Sequence, residues 1–147
     1  MDIDGTVLLR FSEKIKGVLR ASQIATGEEN NFSVKIYGDK GGLKWEQENP
    51  NYLYLLKEDQ PLQVLKPGHA YNSDFSLEGT KLPAGHPEGI FDSMGNIYYG
   101  VAQAIKDKSK FQGAYPKLHD GYRGMHFIEQ TVASHKQGNV WVSMEEE

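Results

Sequence analysis

The sequence predicts an α+β fold: an open, mainly antiparallel β-sheet with helices packed on one face. Two observations carry this prediction. The chain up to Lys66 contains six short strand-like segments separated by short turns, and in three of them polar and apolar residues alternate. Further on, apolar residues recur at intervals of three and four, which is the period of an amphipathic helix. Short turns favour antiparallel pairing, because parallel strands need longer crossover connections.

Six strands are predicted, joined into a meander by residues typical of turns. The clearest is Asn31–Tyr37, in which Phe32, Val34 and Ile36 alternate with other residues. Glycines within residues 38–42 follow it, as expected of a hairpin turn. The predicted strands are Thr6–Phe11, Lys16–Gln23, Asn31–Tyr37, Leu43–Gln47, Tyr52–Leu56 and Leu62–Lys66.

One face of this sheet is expected to pack on helices, and the other face is expected to be partly aromatic. Tyr37, Leu53 and Leu55 fall on the parity that should be more polar. Such an outer face is either an association surface or a set of ordinary surface side chains.

The second half of the chain is predicted to hold two helices and a last strand. The first helix spans Ile90–Lys108, where the apolar spacing is three and four. The second spans about Leu118–Gln137, follows the loop Gly113–Pro116 and ends at a glycine. Val140–Val142 is expected to rejoin the sheet, and Pro67–Lys81 is interpreted as an irregular connection.

The composition describes a single acidic globular domain over residues 1–147. Hydrophobic residues make up 38% and charged residues 24%, and no apolar run approaches the ~18 residues of a membrane span. The formal net charge is −4 without a lysine or arginine cluster, so neither a nucleic-acid nor a membrane partner is predicted. The absence of cysteine excludes disulfides and thiolate chemistry and favours a cytoplasmic location.

The segment Leu82–Gly89 (LPAGHPEG) is the candidate site. Two prolines and two glycines enclose His86 and Glu88, and such a string forms a defined loop rather than a helix or a strand. Loops held by a scaffold are where binding groups tend to lie. His86 is interpreted as either a functional or a structural histidine.

The motifs of common enzyme classes are absent from the sequence. No G-x-G-x-x-G follows a strand, no G-x-S-x-G is present, and the histidines lack the spacing of a metal site. Two carboxylate pairs, Glu46 with Glu48 and Asp92 near Glu88, are of the kind that a glycosidase needs, but any acidic protein offers such pairs. Glu46 and Glu48 also share one parity near a turn, as on an exposed strand face. No catalytic, cofactor-binding or metal-binding residue is predicted.

Four segments occur in series: TVLLRF…KGVLRASQ, NFSVKIYGDKGGLKWEQENPNYLYL, LPAGHPEGIFDSMGNIYYGVAQAI and YPKLHDGYRGMHFIEQTVASHKQGNVWV. In this order they resemble the C-terminal α/β domain of the Gfo/Idh/MocA family of NAD(P)-dependent oxidoreductases. The resemblance covers about Asp4 to Val142. One departure is the first turn, where Glu13 and Lys14 stand in place of the usual Asn-Gly.

The resemblance implies an open domain like the C-terminal domain of glyceraldehyde-3-phosphate dehydrogenase, with a mixed, mainly antiparallel sheet whose free face makes homo-oligomer contacts. It implies a sugar or polyol substrate, and NAD or NADP held by an N-terminal Rossmann domain of the intact parent. The glycine fingerprint of that domain, the Glu-Lys-Pro motif and the Asp-x-x-x-His motif do not occur here. We therefore expect this chain to be the second half of a dehydrogenase that starts after the catalytic helix, with Met1 encoded by an engineered start codon. We expect the chain to be inactive alone.

By analogy with the family, the candidate substrate-binding residues are His86 and Glu88 in the loop and Asp120 at the start of the last helix. Helix capping is an alternative role for Asp120, and bracing of the loop is an alternative role for Glu88. The chain as a whole has a second interpretation, a non-enzymatic stand-alone dimerisation or sugar-binding module. A hydrolase that uses Glu46 and Glu48 is a third.

Overall fold

The structure, a computed structural model, describes residues 3–107 and 115–145. Within these ranges the chain forms six strands and three helices, so the predicted α+β class with antiparallel pairing is confirmed. The chain divides into two compact units. The first comprises the described residues of Met1–Glu28 and Pro116–Glu147, and the second those of Glu29–Tyr115.

The strands form two antiparallel sheets. One is the hairpin of β1 and β2, and the other contains β3 to β6 in sequential order. The strands are β1 (Asp4–Arg10), β2 (Lys16–Ser22), β3 (Ser33–Gly38), β4 (Gly41–Glu46), β5 (Leu53–Leu56) and β6 (Gln63–Leu65), and the helices are α1 (Asp74–Gly79), α2 (Ile90–Lys106) and α3 (Leu118–Lys136).

The prediction of one continuous six-stranded meander is wrong between β2 and β3, which do not pair. The connecting segment contains Gly27, Glu29 and Asn31, whose φ angles are 91°, 52° and 41°. These positive angles belong to the left-handed region, which interrupts extended backbone. The second strand therefore does not lead through a tight hairpin into the third.

In the four-stranded sheet, the register separates an apolar face from a mixed face. Residues directly opposite each other share a face. Ile36 pairs with Leu43 and Leu43 pairs with Leu55, so Leu55 lies on the apolar face, and Leu53, two residues away, lies on the same side. The prediction that Leu53 and Leu55 belong to the outer face is therefore wrong, whereas Tyr37, next to Ile36, does lie on the mixed face.

The two long helices begin where the sequence predicts. The predicted end of the first helix at Lys108 and residues 113 and 114 of the following loop lie outside the described residues. Helix α1 is an addition within the segment interpreted as irregular, and it starts where Ser73 Oγ accepts a hydrogen bond from Ser76 N at 3.3 Å. None of the described helices combines the length and apolar character needed to cross a bilayer.

The predicted last strand, Val140–Val142, is not a strand, because its start is bound to the end of α3. Ser134 Oγ donates to Val140 O at 2.6 Å, and Asn139 N donates to Ser134 O at 2.8 Å. Asn139 has a φ of 63°, which turns the chain after the helix. The backbone of this segment is thereby directed by the helix end rather than by a neighbouring strand.

Helix α2 is amphipathic as predicted, but its apolar stripe is exposed. Phe91 is 88% exposed and Ile105 is 78% exposed. Gly100 is buried, and the half-buried Asp92 and Asn96 lie on the same side of the helix. Ile97 of the stripe is half-buried, and no large apolar side chain of the described residues is fully buried.

Candidate functional site

The loop Leu82–Gly89 closes on itself through His86. Gly85 has a φ of 90°, which lets His86 N donate to Pro83 O at 3.1 Å. Nδ1 of His86 lies 3.1 Å from the same oxygen. A carbonyl oxygen only accepts, so this contact needs a proton on Nδ1 and leaves Nε2 of the neutral ring as an acceptor. Because His86 is exposed, that acceptor is accessible to a hydroxyl group.

Glu88 braces the opening of the same loop. Its Oε1 accepts hydrogen bonds from Lys81 N and from Leu82 N, both at 2.5 Å. Both bonds are charge-assisted, which makes them shorter and stronger than bonds between neutral groups. Among the described residues no donor contacts Oε2, so one oxygen of this half-buried carboxylate is available to a ligand.

Asn51, in the turn before β5, joins this loop to the sheet. Its Oδ1 accepts from Glu88 N and its Nδ2 donates to Glu88 O, both at 2.9 Å. The side-chain amide thus pairs with the backbone of Glu88 as a neighbouring strand would. Asn51 is not among the predicted site residues, and its position beside Pro50 indicates only a turn.

A cleft of about 260 Å³ opens beside the loop, between the first turns of α2 and Trp45 of β4. Asp92 Oδ2 accepts from Gly89 N at 2.8 Å, and Asn96 Nδ2 donates to Gly79 O at 2.6 Å. The second carboxylate oxygen of Asp92 and the single side-chain oxygen of Asn96 can each accept a further hydrogen bond. The small size and the acceptor-rich lining suit a small ligand with several hydroxyl groups.

Two of these cleft residues, Asp92 and Asn96, are not among the predicted site residues. Asp92 stands three residues after Gly89, at the N3 position of α2, and this spacing predicts a helix cap rather than a cleft. Asn96 lies one turn further on, and nothing in the local sequence predicts its bond to α1. Their place in the cleft follows from the packing of the two helices.

Asp120 lies in the other unit, at the N3 position of α3. Its Oδ2 accepts from Lys117 N at 2.8 Å, which is the capping interaction given above as its alternative role. His86 and Glu88 thus lie in one loop, but of the two only Glu88 lines the cleft, and Asp120 belongs to a separate unit. The substrate-binding role of all three stays a prediction.

Glu46 and Glu48 each make a structural contact through one oxygen, and neither residue lines the cleft. Glu46 Oε1 lies 2.8 Å from Lys44 Nζ, and this hydrogen bond raises the pKa of Lys44. Glu48 Oε1 accepts from Asn31 N at 2.8 Å. Across residues 3–107 and 115–145, no three His, Asp or Glu side chains are arranged to hold a metal ion. The geometry therefore gives no support to the hydrolase interpretation.

Comparison with known proteins places this geometry in a family. The model of an oxidoreductase family's C-terminal α/β domain, that of Gfo/Idh/MocA, matches residues 4–144. The uncharacterized oxidoreductase YfiI of Bacillus subtilis is 31% identical over 142 residues, which are 92% of this chain and 36% of that protein.

Solved structures agree with this match. An oxidoreductase from Sinorhizobium meliloti has a TM-score of 0.89 and 38% identity, over 97% of this chain and 42% of its own. An inositol dehydrogenase homolog from Azotobacter vinelandii, complexed with NADH and myo-inositol, has a TM-score of 0.87 and 31% identity, over 95% of this chain and 38% of its own. The chain spans less than half the length of each relative.

Proposed function

Because the chain belongs to the Gfo/Idh/MocA family of oxidoreductases, we propose that its 147 residues act as one C-terminal domain that forms the substrate wall of an NAD(P)-dependent sugar or polyol dehydrogenase. The observation that carries the proposal is the match of nearly the whole chain to this domain, in a family with a relative that holds NADH and myo-inositol. The reaction would be oxidation or reduction at a carbinol carbon of the substrate.

The glycine turn between β3 and β4 does not fit the phosphates of a dinucleotide. Gly38 and Gly41 close the hairpin between β3 and β4. Gly41 has a φ of 144°, and its backbone lies too close to Leu56 O for any Cβ. These glycines serve the approach of two strands and not that of a phosphate. We therefore assign NAD or NADP to an N-terminal Rossmann domain, the partner of this chain in the intact protein.

The role assigned to this chain is to bind and orient the polyol. His86 Nε2, Glu88 Oε2 and Asp120 Oδ1 are acceptors left over by the hydrogen bonds described above. Hydroxyl groups donate as well as accept hydrogen bonds, so these acceptor atoms can bind the hydroxyl groups of the substrate. The brace on Glu88 and the cap on Asp120 hold the carboxylates before a ligand arrives, which reduces the entropy lost on binding.

The proposal includes a homo-oligomer formed through the open sheet face. Tyr37 is 74% exposed on the edge strand β3, beside Lys35 on the mixed face, and this supports a contact surface there. The exposed stripe of α2, with Phe91 and Ile105, supports contact with the N-terminal domain, because soluble proteins rarely leave large apolar patches uncovered. The proposal also includes a cytoplasmic location, which agrees with the absence of cysteine.

The same exposed surfaces favour the second candidate, a stand-alone dimerisation or sugar-binding module. The two candidates differ in whether an N-terminal NAD(P)-binding half makes the chain active. The module predicts that the chain alone dimerises or binds a sugar and that no such half converts it into an enzyme.

The experiment is a chimera in which this chain replaces the corresponding domain of the Azotobacter vinelandii homolog. NADH formation is measured with myo-inositol and a panel of sugars and polyols, with each half alone as a control. We expect polyol-dependent NADH formation by the chimera and none by either half. A folded chimera that binds NAD⁺ but oxidises no member of the panel would contradict the proposal and favour the module.

A further inference from the structure

One face of the β1–β2 hairpin combines an apolar groove with two cations. The register places Leu8 opposite Val18 and Arg10 opposite Lys16. Residues two apart on a strand share a face, so these four side chains lie together. Trp141, from the segment after α3, completes a groove of about 360 Å³. All of these residues belong to the same unit.

The two cations, Arg10 and Lys16, lie directly opposite each other on the hairpin. Within the described parts of the chain, neither Arg10 nor Lys16 has a carboxylate within 4.0 Å, whereas Arg20 on the same face is paired with Asp4 at 3.9 Å. Like charges directly opposite each other destabilise a strand pair. An anion placed between Arg10 and Lys16 would remove this repulsion.

The arginine is also held in a geometry that suits an anion. Its Cζ lies 4.5 Å from the centre of the Trp141 ring, over the face of the indole. A stacked guanidinium keeps its N–H edge free, and that edge matches the two oxygens of a carboxylate. The stack therefore orients the donors of Arg10 without using them.

The floor of the groove is apolar and accessible. Leu8, Val18 and Trp141 are 62%, 69% and 60% exposed. A free phosphate would match the cations but would leave the apolar floor of the groove uncovered. An anionic group attached to a flat apolar body would match the cations and cover the floor. The groove lies at the lower end of the volumes of small-molecule pockets, which run from about 300 to 1,000 Å³.

We propose that this groove binds a small amphipathic carboxylate, with its apolar body on Leu8, Val18 and Trp141 and its carboxylate between Arg10 and Lys16. The site is independent of the polyol role proposed above, since it uses none of the same residues. It differs from a bare hydrophobic patch in requiring the negative charge.

The test uses the full chain, labelled with ¹⁵N, and 2-naphthoate as the probe. The two tryptophans give two indole N–H signals: Trp141 reports on the groove, and Trp45, in the other unit and bonded to Pro50 O at 3.0 Å, is the internal control. We expect the Trp141 signal to titrate with a Kd on the order of 1 mM, as for a ligand of this size in an open site. The neutral isostere 2-naphthamide and the bare anion acetate should each bind at least about tenfold more weakly.

Substitutions separate the two cations from general electrostatics. Arg10→Met and Lys16→Met should each weaken naphthoate binding about tenfold, the loss expected for one charge-assisted hydrogen bond. Arg20→Met removes the same charge from the same face and should leave binding unchanged. Equal binding of naphthamide, equal weakening by Arg20→Met, or a titrating Trp45 signal would overturn the proposal. The comparison of naphthoate with naphthamide needs no variant, so it holds even if Arg10→Met fails to fold.

Discussion

The two hydrogen bonds between the Asn51 side chain and the Glu88 backbone suggest a substitution, Asn51→Asp, whose cost in folding stability depends on pH. Asn51→Asp keeps Oδ1 as the acceptor for Glu88 N and replaces the Nδ2 donor by an oxygen. When the new carboxyl is ionised, that oxygen faces Glu88 O at a separation of about 2.9 Å, so a hydrogen bond is exchanged for a contact between two acceptors. When it is protonated, it can donate to Glu88 O and restore the pair.

The magnitude follows from the burial of the contact. Leaving the part-buried Glu88 O without a donor costs about 1–3 kcal/mol. The same repulsion holds the pKa of the introduced carboxyl in the folded state above its unfolded value. A raised pKa of a carboxyl means that stability is retained below the unfolded value and lost as the pH rises through the folded value. Asn51→Asp should therefore match the wild type most closely near pH 4 and be about 1–3 kcal/mol less stable at pH 7.

The assay is urea unfolding of wild type and variant at matched pH values from 4 to 7, with amide exchange of Glu88 to locate the effect. Asn51→Ala is the control, because it removes both bonds and should cost about 2–4 kcal/mol at every pH. A deficit of Asn51→Asp that does not change with pH would refute this reasoning. So would a variant as stable as the wild type at pH 7.

Three further predictions, the second with a matched control, concern other parts of the fold. Asp120→Ala removes the N-terminal cap of α3 and should lower the free energy of unfolding by about 1 kcal/mol in urea titrations. Gly68→Ala should cost roughly 2–3 kcal/mol, because its φ is 76° and a Cβ would lie 3.1 Å from the backbone of Ala84. Gly27→Ala is the matched control, because Gly27 has a φ of 91° but open space around it. It should show the cost of backbone strain alone, about 1 kcal/mol, in the same assay. The hydrogen bond to the Glu46 carboxylate raises the pKa of Lys44 above 10.5. Lys44 should therefore contribute stability below pH 10.5 that is lost as the pH rises through the raised pKa. Lys44→Met should abolish this contribution to the loss of stability at alkaline pH.

The elements that could be predicted are those set by local periodicity. Helices α2 and α3 begin at Ile90 and Leu118 as predicted, because apolar spacing and flanking turn residues lie within the helix and its ends. The face of Leu55 could not be predicted in this way. It depends on the pairing with Leu43 across a turn, and parity counted along the chain does not carry through a turn of unknown geometry.

The same distinction between local sequence pattern and long-range contacts applies to the candidate site. The prolines and glycines around His86 and Glu88 predict a defined loop from neighbouring residues alone. The residue that holds this loop to the sheet, Asn51, is 37 positions away from Glu88, so only the fold reveals the contact. Val140–Val142 shows the converse, because its branched side chains fit a strand while the end of α3 directs its backbone elsewhere.

The central claim, that the loop Leu82–Gly89 forms part of a polyol site, is tested most directly by the Michaelis constants of the active chimera with His86→Ala. We expect KM for the polyol to rise about tenfold while kcat and KM for NAD⁺ stay within about twofold, as for a lost hydrogen bond that acts in binding. His135→Ala, another accessible histidine, should leave all three unchanged. An unchanged polyol KM in the His86→Ala chimera would contradict the claim.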